Sequence, residues 1–508
     1  MSQTEEVAKD SFEDLSSVET ANTYLISKAG KYKFNAQLKG NGVIPASLSS
    51  VVASKEIAPK SALILWYNTL QTCNNWVDAS PVDVSSVALG ADGYVRFSTP
   101  ETFVPGNAVI AVFAEEGVTY DSITADENKC INNATLLWSW TIWAADGYDP
   151  EATAVNADGN VFMDRNLGAP ISGIGTTGNY EPAGAVGNYY QWGRKDPFPS
   201  VSDYTSYLPC QNSNILFGTP TYTPIKALQI NGQSSKKNLD GQMFGYRTNR
   251  ANLDSNNAWN LIARDNISSD KTTKNGVYVS YATEHPYKYV INKGNSFGGW
   301  FTWISDVDAS YKSFWGDAEH QKTLFDPCPA GWRVSSKDEA EKFLSVVLNS
   351  TLSANKVGYE YQGHYIPLTS LRKHENGLVD NLCLPAQTSL ESNFWTSTPG
   401  NYYSYTYMAS LKTPTKSLNN IVGRGFTCTT FCNKIQPFVR HFRETQDLQV
   451  GIFYIAIDVH KAIGRTAVCP AVGLLIVVRA VESPRKVLCI PCDADFGIDN
   501  FFFTAMIQ

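Results

Sequence analysis

Charge is scarce in this sequence. Asp, Glu, Lys and Arg make up 18% of its 508 residues, and the formal net charge is −7. Lys and Arg gather nowhere into a cluster, so the basic footprint that a nucleic-acid partner requires is missing and that partner class is excluded. No apolar run reaches the roughly 18 residues of a membrane-spanning helix, and no transmembrane segment is expected. The residues from Met1 to Glu6 carry neither a basic nor an apolar stretch, so no secretory leader is readable there. The ten cysteines are irregularly spaced, five of them between Cys428 and Cys492, which is not the density of a disulfide scaffold. Cys73, Cys130, Cys210, Cys328 and Cys383 are expected as small core residues, with disulfides only in an exported form. The six histidines (His285, His320, His364, His374, His441, His460) are scattered, no two of them three or four residues apart, so no zinc site is readable. Cys489 and Cys492 form a lone Cys-x-x-Cys without a thioredoxin-like context, and no nucleophile-elbow sequence occurs. No catalytic residue, metal or cofactor is assigned.

What the chain has instead is aromatic residues: 12 Trp, 26 Tyr and 24 Phe. Such residues fill cores and also serve recognition surfaces. At roughly 150 residues per domain, the length implies about three domains. Residues 1–18 are polar and acidic, and are expected to be disordered. From Glu19 the pattern becomes short strands. Tyr24–Ser27 and Lys31–Leu38 alternate around an Ala29-Gly30 turn and read as a hairpin. Ser61–Tyr67, Val87–Leu89, Tyr94–Phe97 and Ala108–Phe113 follow, with turns at Gly90–Gly93 and Pro105–Asn107 between them. This predicts a β-sandwich over residues 19–132. Leu136–Trp143 is an aromatic strand leading into a second domain, 133–445. Asn156–Asn160 reads as a hairpin turn rather than a calcium loop, because only Asp158 offers charge. Asp164, Arg165 and Asn166 read as a structural ion-pair cluster, and Tyr189–Arg194 as packing. Residues 200–320 are long, polar excursions of the kind that surround binding faces. Gly298–Trp303 and Phe314–Asp317 are expected to bring aromatics back towards the core.

The chain is organised around Phe325–Phe343. Pro327, Pro329 and Gly331 punctuate a non-helical entry. Trp332–Val334 reads as a buried strand. Ser335 or Ser336 then caps a helix whose first turn carries Asp338 and Glu339, with the Ser336-to-Glu339 spacing of a capping box. Phe343, Val346 and Val347 supply its apolar face. Val357–Pro367 and Leu382–Ala386 read as further strands.

Cys328-Pro-Ala-Gly-Trp-Arg-Val334 and its capped acidic helix resemble the fibrobacter major paralogous domain of fimbrillin-like surface proteins in gut Bacteroidetes. They are also similar to a segment of formylglycine-generating enzymes, which have a variant C-type lectin fold. Leu136–Trp143, Met163–Ala169, Tyr189–Pro199, Phe394–Thr398 and Phe438–Arg443 resemble further motifs of the domain, in order. The segment Glu19–Phe34 is similar to the module preceding it. The resemblance implies an α+β protein: a C-type lectin-like domain with long loops, preceded by an all-β sandwich. It implies a cell-surface or outer-membrane location and a non-catalytic recognition or adhesion role, with a glycan or protein ligand on a host or neighbouring cell.

The expected ligand contacts are Asn401, Tyr402, Tyr403, Tyr405 and Tyr407. Their Tyr, Ser and Asn composition is that of a paratope, in which rigid aromatic area combines with adaptable hydrogen bonds. A similar region of lectin-fold variable proteins from diversity-generating retroelements is rich in the same residues. Two alternatives remain. One is a structural pilus or phage-tail subunit. The other is a formylglycine-generating-type oxidase using Cys428 and Cys432, which would hold soft Cu(I) as thiolates but stand one residue closer than that family's pair. Residues 446–508 extend beyond the family pattern, either as an extra hairpin or as a tail without an evolved fold.

Overall fold

A computed structural model describes residues 11–49, 51–69, 80–118, 134–172, 185, 187–198, 261–269, 275–286, 288–291, 303–304, 314–316, 321–352, 358–362, 364–367, 371–372, 379–380, 391–399, 405–412, 417–424, 427–430 and 432–434. Beyond residue 367 side chains are described only for 394–398. The chain divides into two units, 1–436 and 437–508. The expected motif at Phe438–Arg443 and the extension 446–508 lie outside the described residues, as do Leu382–Ala386.

Two four-stranded sheets are built from the first third of the chain. One runs β1 (Glu13–Asp14), β3 (Lys31–Asn35), β6 (Tyr94–Ser98), β5 (Ala88–Leu89). The other runs β2 (Thr23–Ile26), β8 (Leu136–Ala144), β7 (Gly106–Phe113), β4 (Ser61–Thr69). Strict alternation in β3 and β6 turns Tyr32, Phe34, Val95 and Phe97 inward. Phe34 meets Tyr24 of β2 at 5.0 Å and Trp140 of β8 at 5.1 Å between ring centroids, so the two sheets share one core. This arrangement is compatible with a β-sandwich.

Two expectations for this region need correction. β2 and β3 do not form a hairpin. β2 pairs in parallel with β8, while β3 pairs antiparallel with β6. Both strands carry inward aromatics, and placing them in opposite sheets lets Tyr24 and Phe34 stack on each other. Gly30 carries the crossing, its backbone exchanging hydrogen bonds of 3.0 Å with Thr99. Residues 11–18 are not a disordered lead-in. β1 pairs in parallel with β3, Glu13 opposite Tyr32 and Asp14 opposite Lys33, and the Asn35 amide donates to Ser16 Oγ at 2.8 Å. Main-chain pairing onto a strand edge needs no apolar side chain, so acidic composition does not prevent it.

β8 is buried on both faces: Trp138, Trp140 and Ile142 alternate with Ser139, Thr141 and Trp143, and none is more than 2% exposed. One face packs into the core between the two sheets. On the other, Trp143 Nε1 donates to the Ala169 carbonyl at 3.0 Å and Ser139 Oγ to Asp196 at 2.6 Å. The expected boundary at 132/133 therefore falls ahead of a strand that lies between β2 and β7 and completes the first module's sheet.

The remaining elements are mostly short strands with few helices, a mixed composition compatible with the α+β class. β14 (Trp332–Val334), β24 (Cys432–Lys434), β10 (Asn160–Phe162) and β9 (Val155–Ala157) form one sheet in that order. The β9–β10 hairpin turns through Asp158 and Gly159 at φ 50° and 79°, the left-handed pair of a tight hairpin turn, as the Asn-Asp-Gly composition predicts. A seven-stranded sheet runs β19 (Val379–Asp380), β18 (Leu371–Arg372), β23 (Thr427–Thr430), β20 (Glu391–Pro399), β21 (Tyr405–Lys412), β22 (Ser417–Arg424), with β11 (Tyr190–Gln191) also on β23. β12 (Leu261–Ala263) pairs in parallel with β13 (Tyr289–Ile291), and β15 (Thr351–Leu352), β16 (Gly358–Tyr361) and β17 (His364–Pro367) form a meander. The α-helices among the described residues include α1 (Arg264–Ile267), α2 (Asn275–Glu284) and α3 (Lys337–Leu348). α3 carries the capping box expected of Ser336 and Glu339, and buries Ala340, Phe343, Leu344 and Val347 against Phe162, Tyr359, Ile366 and Phe394.

Ending the chain at residue 132 removes β8 and leaves β2 and β7 with open edges. Such a fragment is expected to lose cooperative thermal unfolding and to aggregate, followed by circular dichroism and gel filtration. A monomeric fragment 1–132 that melts cooperatively would show β8 to be dispensable.

Candidate functional site

The Phe325–Phe343 stretch is held by a closed polar centre. Lys322 Nζ donates to Asp326 Oδ1 at 2.7 Å and to the carbonyls of Cys328 and Trp332 at 3.0 and 2.7 Å. Asp326 accepts from the Cys328 and Val334 amides, both at 2.8 Å. Just ahead of β2, Asn22 Nδ2 donates to the Leu324 and Asp326 carbonyls at 2.7 and 2.8 Å, and Thr23 Oγ1 of β2 donates to the Pro327 carbonyl at 2.6 Å. Gly331 sits at φ 76°, the conformation for which glycine is required in this entry turn. Burial pushes the Lys322 amine down, and Asp326 opposes that. Cys328 is buried in the core as expected, and it is disulfide-bonded.

Arg333 forms a forked pair with Glu339, which also accepts from the Ser336 amide at 2.7 Å. Burial alone would raise the Glu339 carboxyl, but the Arg333 guanidinium and Ser336 hold it down at about 2.

The segment Tyr189–Asp196 is the second centre, and it is packed as predicted. Four indoles engage its backbone or extend from it: Trp395 Nε1 donates to the Tyr190 carbonyl at 2.8 Å, Trp303 to Trp192 at 2.8 Å, Trp315 to Arg194 at 3.1 Å, and Trp192 to Thr396 at 2.8 Å. Trp303, Phe314 and Trp315 thus return to the core. Arg194 donates to the carbonyls of Lys288 and Pro286 at 2.7 and 3.1 Å, beyond the C-terminus of α2, where the helix dipole favours a cation. Burial pushes its pKa down to about 10.

Beside it, Lys195 Nζ reaches Ser139 Oγ at 2.6 Å and Asp196 Oδ1 at 2.5 Å, 4.3 Å from the Trp138 ring centre. A hydroxyl, an amine and a carboxylate in contact have the composition of a nucleophile–base site. All three are at most 4% exposed, so the cluster is closed to a substrate and acts as a structural tie between β8 and the Tyr189–Asp196 segment. Sequence reasoning assigned no role to Lys195 or Asp196. A charged pair following Trp192 and Gly193 carries no periodic signal of burial.

The ion pair expected at Asp164–Arg165 is present, with contacts of 2.8 and 2.9 Å, and the Arg165 guanidinium lies 3.6 Å from the Tyr148 ring centre. Among the described residues no group of three or more His, Cys, Asp or Glu is placed to hold a metal ion. Asn401, Tyr402 and Tyr403 lie outside the described residues. Tyr405 and Tyr407 fall on β21, opposite Arg424 and Val422 of β22, two positions apart and so on one face of the strand. Cys428 lies on β23 opposite Tyr190, whereas Cys432 lies on β24 opposite Val334, in a different sheet. No helix among the described residues is long and apolar enough to cross a membrane.

No family model, curated protein or solved structure matches the chain.

Two predictions follow from the polar centres. Asp326→Asn leaves the Lys322 ammonium buried without its carboxylate, and is expected to cost about 3–5 kcal/mol in chemical denaturation. Glu339 has a carboxyl depressed from its ordinary 4.5 to about 2, so its contribution is complete above pH 4.5 and is lost as pH falls towards 2. That contribution is on the order of 3 kcal/mol. The acid limb of a stability–pH curve should be shallower in Glu339→Gln, and an unchanged limb would remove Glu339 from the account.

Proposed function

We propose that this chain is a non-catalytic recognition or adhesion protein at a cell surface, binding a glycan or protein ligand through the face of a C-type lectin-like domain. Asn401, Tyr402, Tyr403, Tyr405 and Tyr407 are its contacts. The observation that carries the reading is the β20–β21 pairing. The two strands are antiparallel, Glu391 opposite Lys412 through Trp395 opposite Met408, and pairing resumes at Pro399 opposite Thr406 after a register shift. The link between them is residues 400–404, so chain continuity keeps all five contacts within one short stretch of a paired hairpin. β21 is also flanked on its other side by β22, and α3 packs on the same strands. A platform of this kind supports a paratope because rigid aromatic contacts lose little entropy on binding. With both ladder edges of β21 used, recognition falls to side chains rather than to strand addition.

The test is a glycan array and a host-surface protein screen with the full chain, followed by Tyr402→Ala/Tyr403→Ala/Tyr405→Ala. At about 1.4 kcal/mol per tenfold, loss of these aromatic contacts should weaken binding at least tenfold without moving the melting temperature. Undiminished binding by the triple variant would remove these residues from the site.

A further inference from the structure

We infer that the ligand of the β20–β21 hairpin is an acidic glycan, one carrying carboxylate or sulfate groups, and that Arg424 is the residue that selects it. The inference rests on the recognition reading above and names the ligand class of that same site. Two independent observations carry it, a ladder register and a charge distribution.

The register sets Arg424, the last residue of β22, directly opposite Tyr405 of β21. Ladder partners share a face, so an aromatic and a guanidinium position stand side by side, with Tyr407 and Val422 as the next row on that face. Ala409 follows, and its partner on β20 is Phe394, which packs with Phe343 and Leu344 of α3. α3 begins at Lys337, whose amide donates to Thr398 Oγ1 at 2.9 Å. The helix therefore starts near the hairpin link and runs towards Phe394, away from the Tyr405–Arg424 row.

The charge distribution is lopsided. The chain as a whole is acidic, with 48 Asp and Glu and a formal net charge of −7. Yet no Asp or Glu occurs between Glu391 and Glu444, a stretch that contains Lys412, Lys416, Arg424, Lys434, Arg440 and Arg443. Glu391 is the only carboxylate carried by β20, β21, β22 or β23. It lies opposite Lys412, roughly 23 Å along β21 from Tyr405. A cation at the hairpin end of such a sheet suits an anion brought by a ligand. An arginine fork matches a carboxylate or sulfate with two parallel hydrogen bonds, while a tyrosine ring offers a flat face to a sugar ring.

The experiment measures binding of the full chain to matched acidic and neutral sugars: sialyllactose and lactose, polygalacturonate and its methyl ester, dextran sulfate and dextran. Polyglutamate serves as the acidic peptide. In at least one pair the acidic member should bind at least about tenfold more tightly, the difference that a charge-assisted fork supplies. Raising sodium chloride from about 50 to about 500 mM should narrow that preference. Arg424→Gln should bring the ratio to about one, and Arg424→Lys, which keeps the charge without the fork, should leave it in between. Equal binding of both members of every pair overturns the inference, as does a preference that Arg424→Gln leaves intact, and both results leave the tyrosine site standing. Tighter binding of polyglutamate than of any acidic sugar marks a receptor for acidic protein and overturns the glycan assignment. Absence of binding to any sugar or protein overturns the inference together with the reading it rests on. The wild-type ratio and its salt dependence stand even if the variants do not fold.

Discussion

A strand buried on both faces has to be covered twice, and the described chain covers β8 from both sides. Its Trp138, Trp140 and Ile142 face needs the β3–β6 sheet, and its Ser139, Thr141 and Trp143 face needs the segments around Ala169 and Asp196. Covering only one face would leave either the indoles or the Ser139 hydroxyl against water, with the loss of apolar burial that implies. The two halves of the described chain are thus complementary surfaces of one element rather than beads joined by a linker. The expectation of separable modules missed this because a boundary drawn ahead of an aromatic run treats that run as the start of something new.

The second constraint is what to do with main chain that belongs to no ladder. The turns around Tyr190–Asp196 and Leu324–Trp332 pass through the interior, where unpaired carbonyls are costly. Long side chains supply the missing donors. Indoles serve the carbonyls of Ala169, Tyr190, Trp192, Arg194 and Thr396, and Lys322, Arg194 and Asn22 serve those of Trp332, Lys288 and Leu324. Buried ion pairs are weak sources of stability, since desolvation cancels much of the attraction. Here the ammonium and guanidinium groups do a second job by fixing loop conformation. That accounts for tryptophan abundance in a chain otherwise poor in charge.

Local features were legible in the sequence wherever local chemistry decides the outcome. The Ser336–Glu339 capping box, the Asp158-Gly159 turn, the short Trp332–Val334 strand and the burial of Tyr189–Arg194 all follow from turn, capping and alternation rules acting over a few residues. Strand partners were not legible. Alternation in β2 and β3 shows which side chains face inward, but not that β2 would find β8 more than a hundred positions away. The Ala29-Gly30 link is short enough for a hairpin and equally able to cross between sheets. Lys195, Asp196 and Lys322 carry no local signal of burial in the sequence, because burial of a polar group depends on distant partners. Of the candidate contacts, only Tyr405 and Tyr407 have a described backbone, on a strand paired on both sides.

The contacts made by Asn22 and Thr23 have a temporal consequence. Their acceptors, on Leu324, Asp326 and Pro327, come 302 to 304 residues later in the chain. β8, the strand that β2 pairs with, is itself made more than a hundred residues after it. During synthesis the N-terminal strands therefore leave the ribosome long before the groups that complete them exist. At roughly 5–20 residues per second, that interval is about 15–60 seconds, far longer than collapse of a chain. Over that time Asn22 and Thr23 carry unmet side-chain donors, and until β8 is made β2 also has an open edge, so the newborn chain depends on not being captured by another copy of itself.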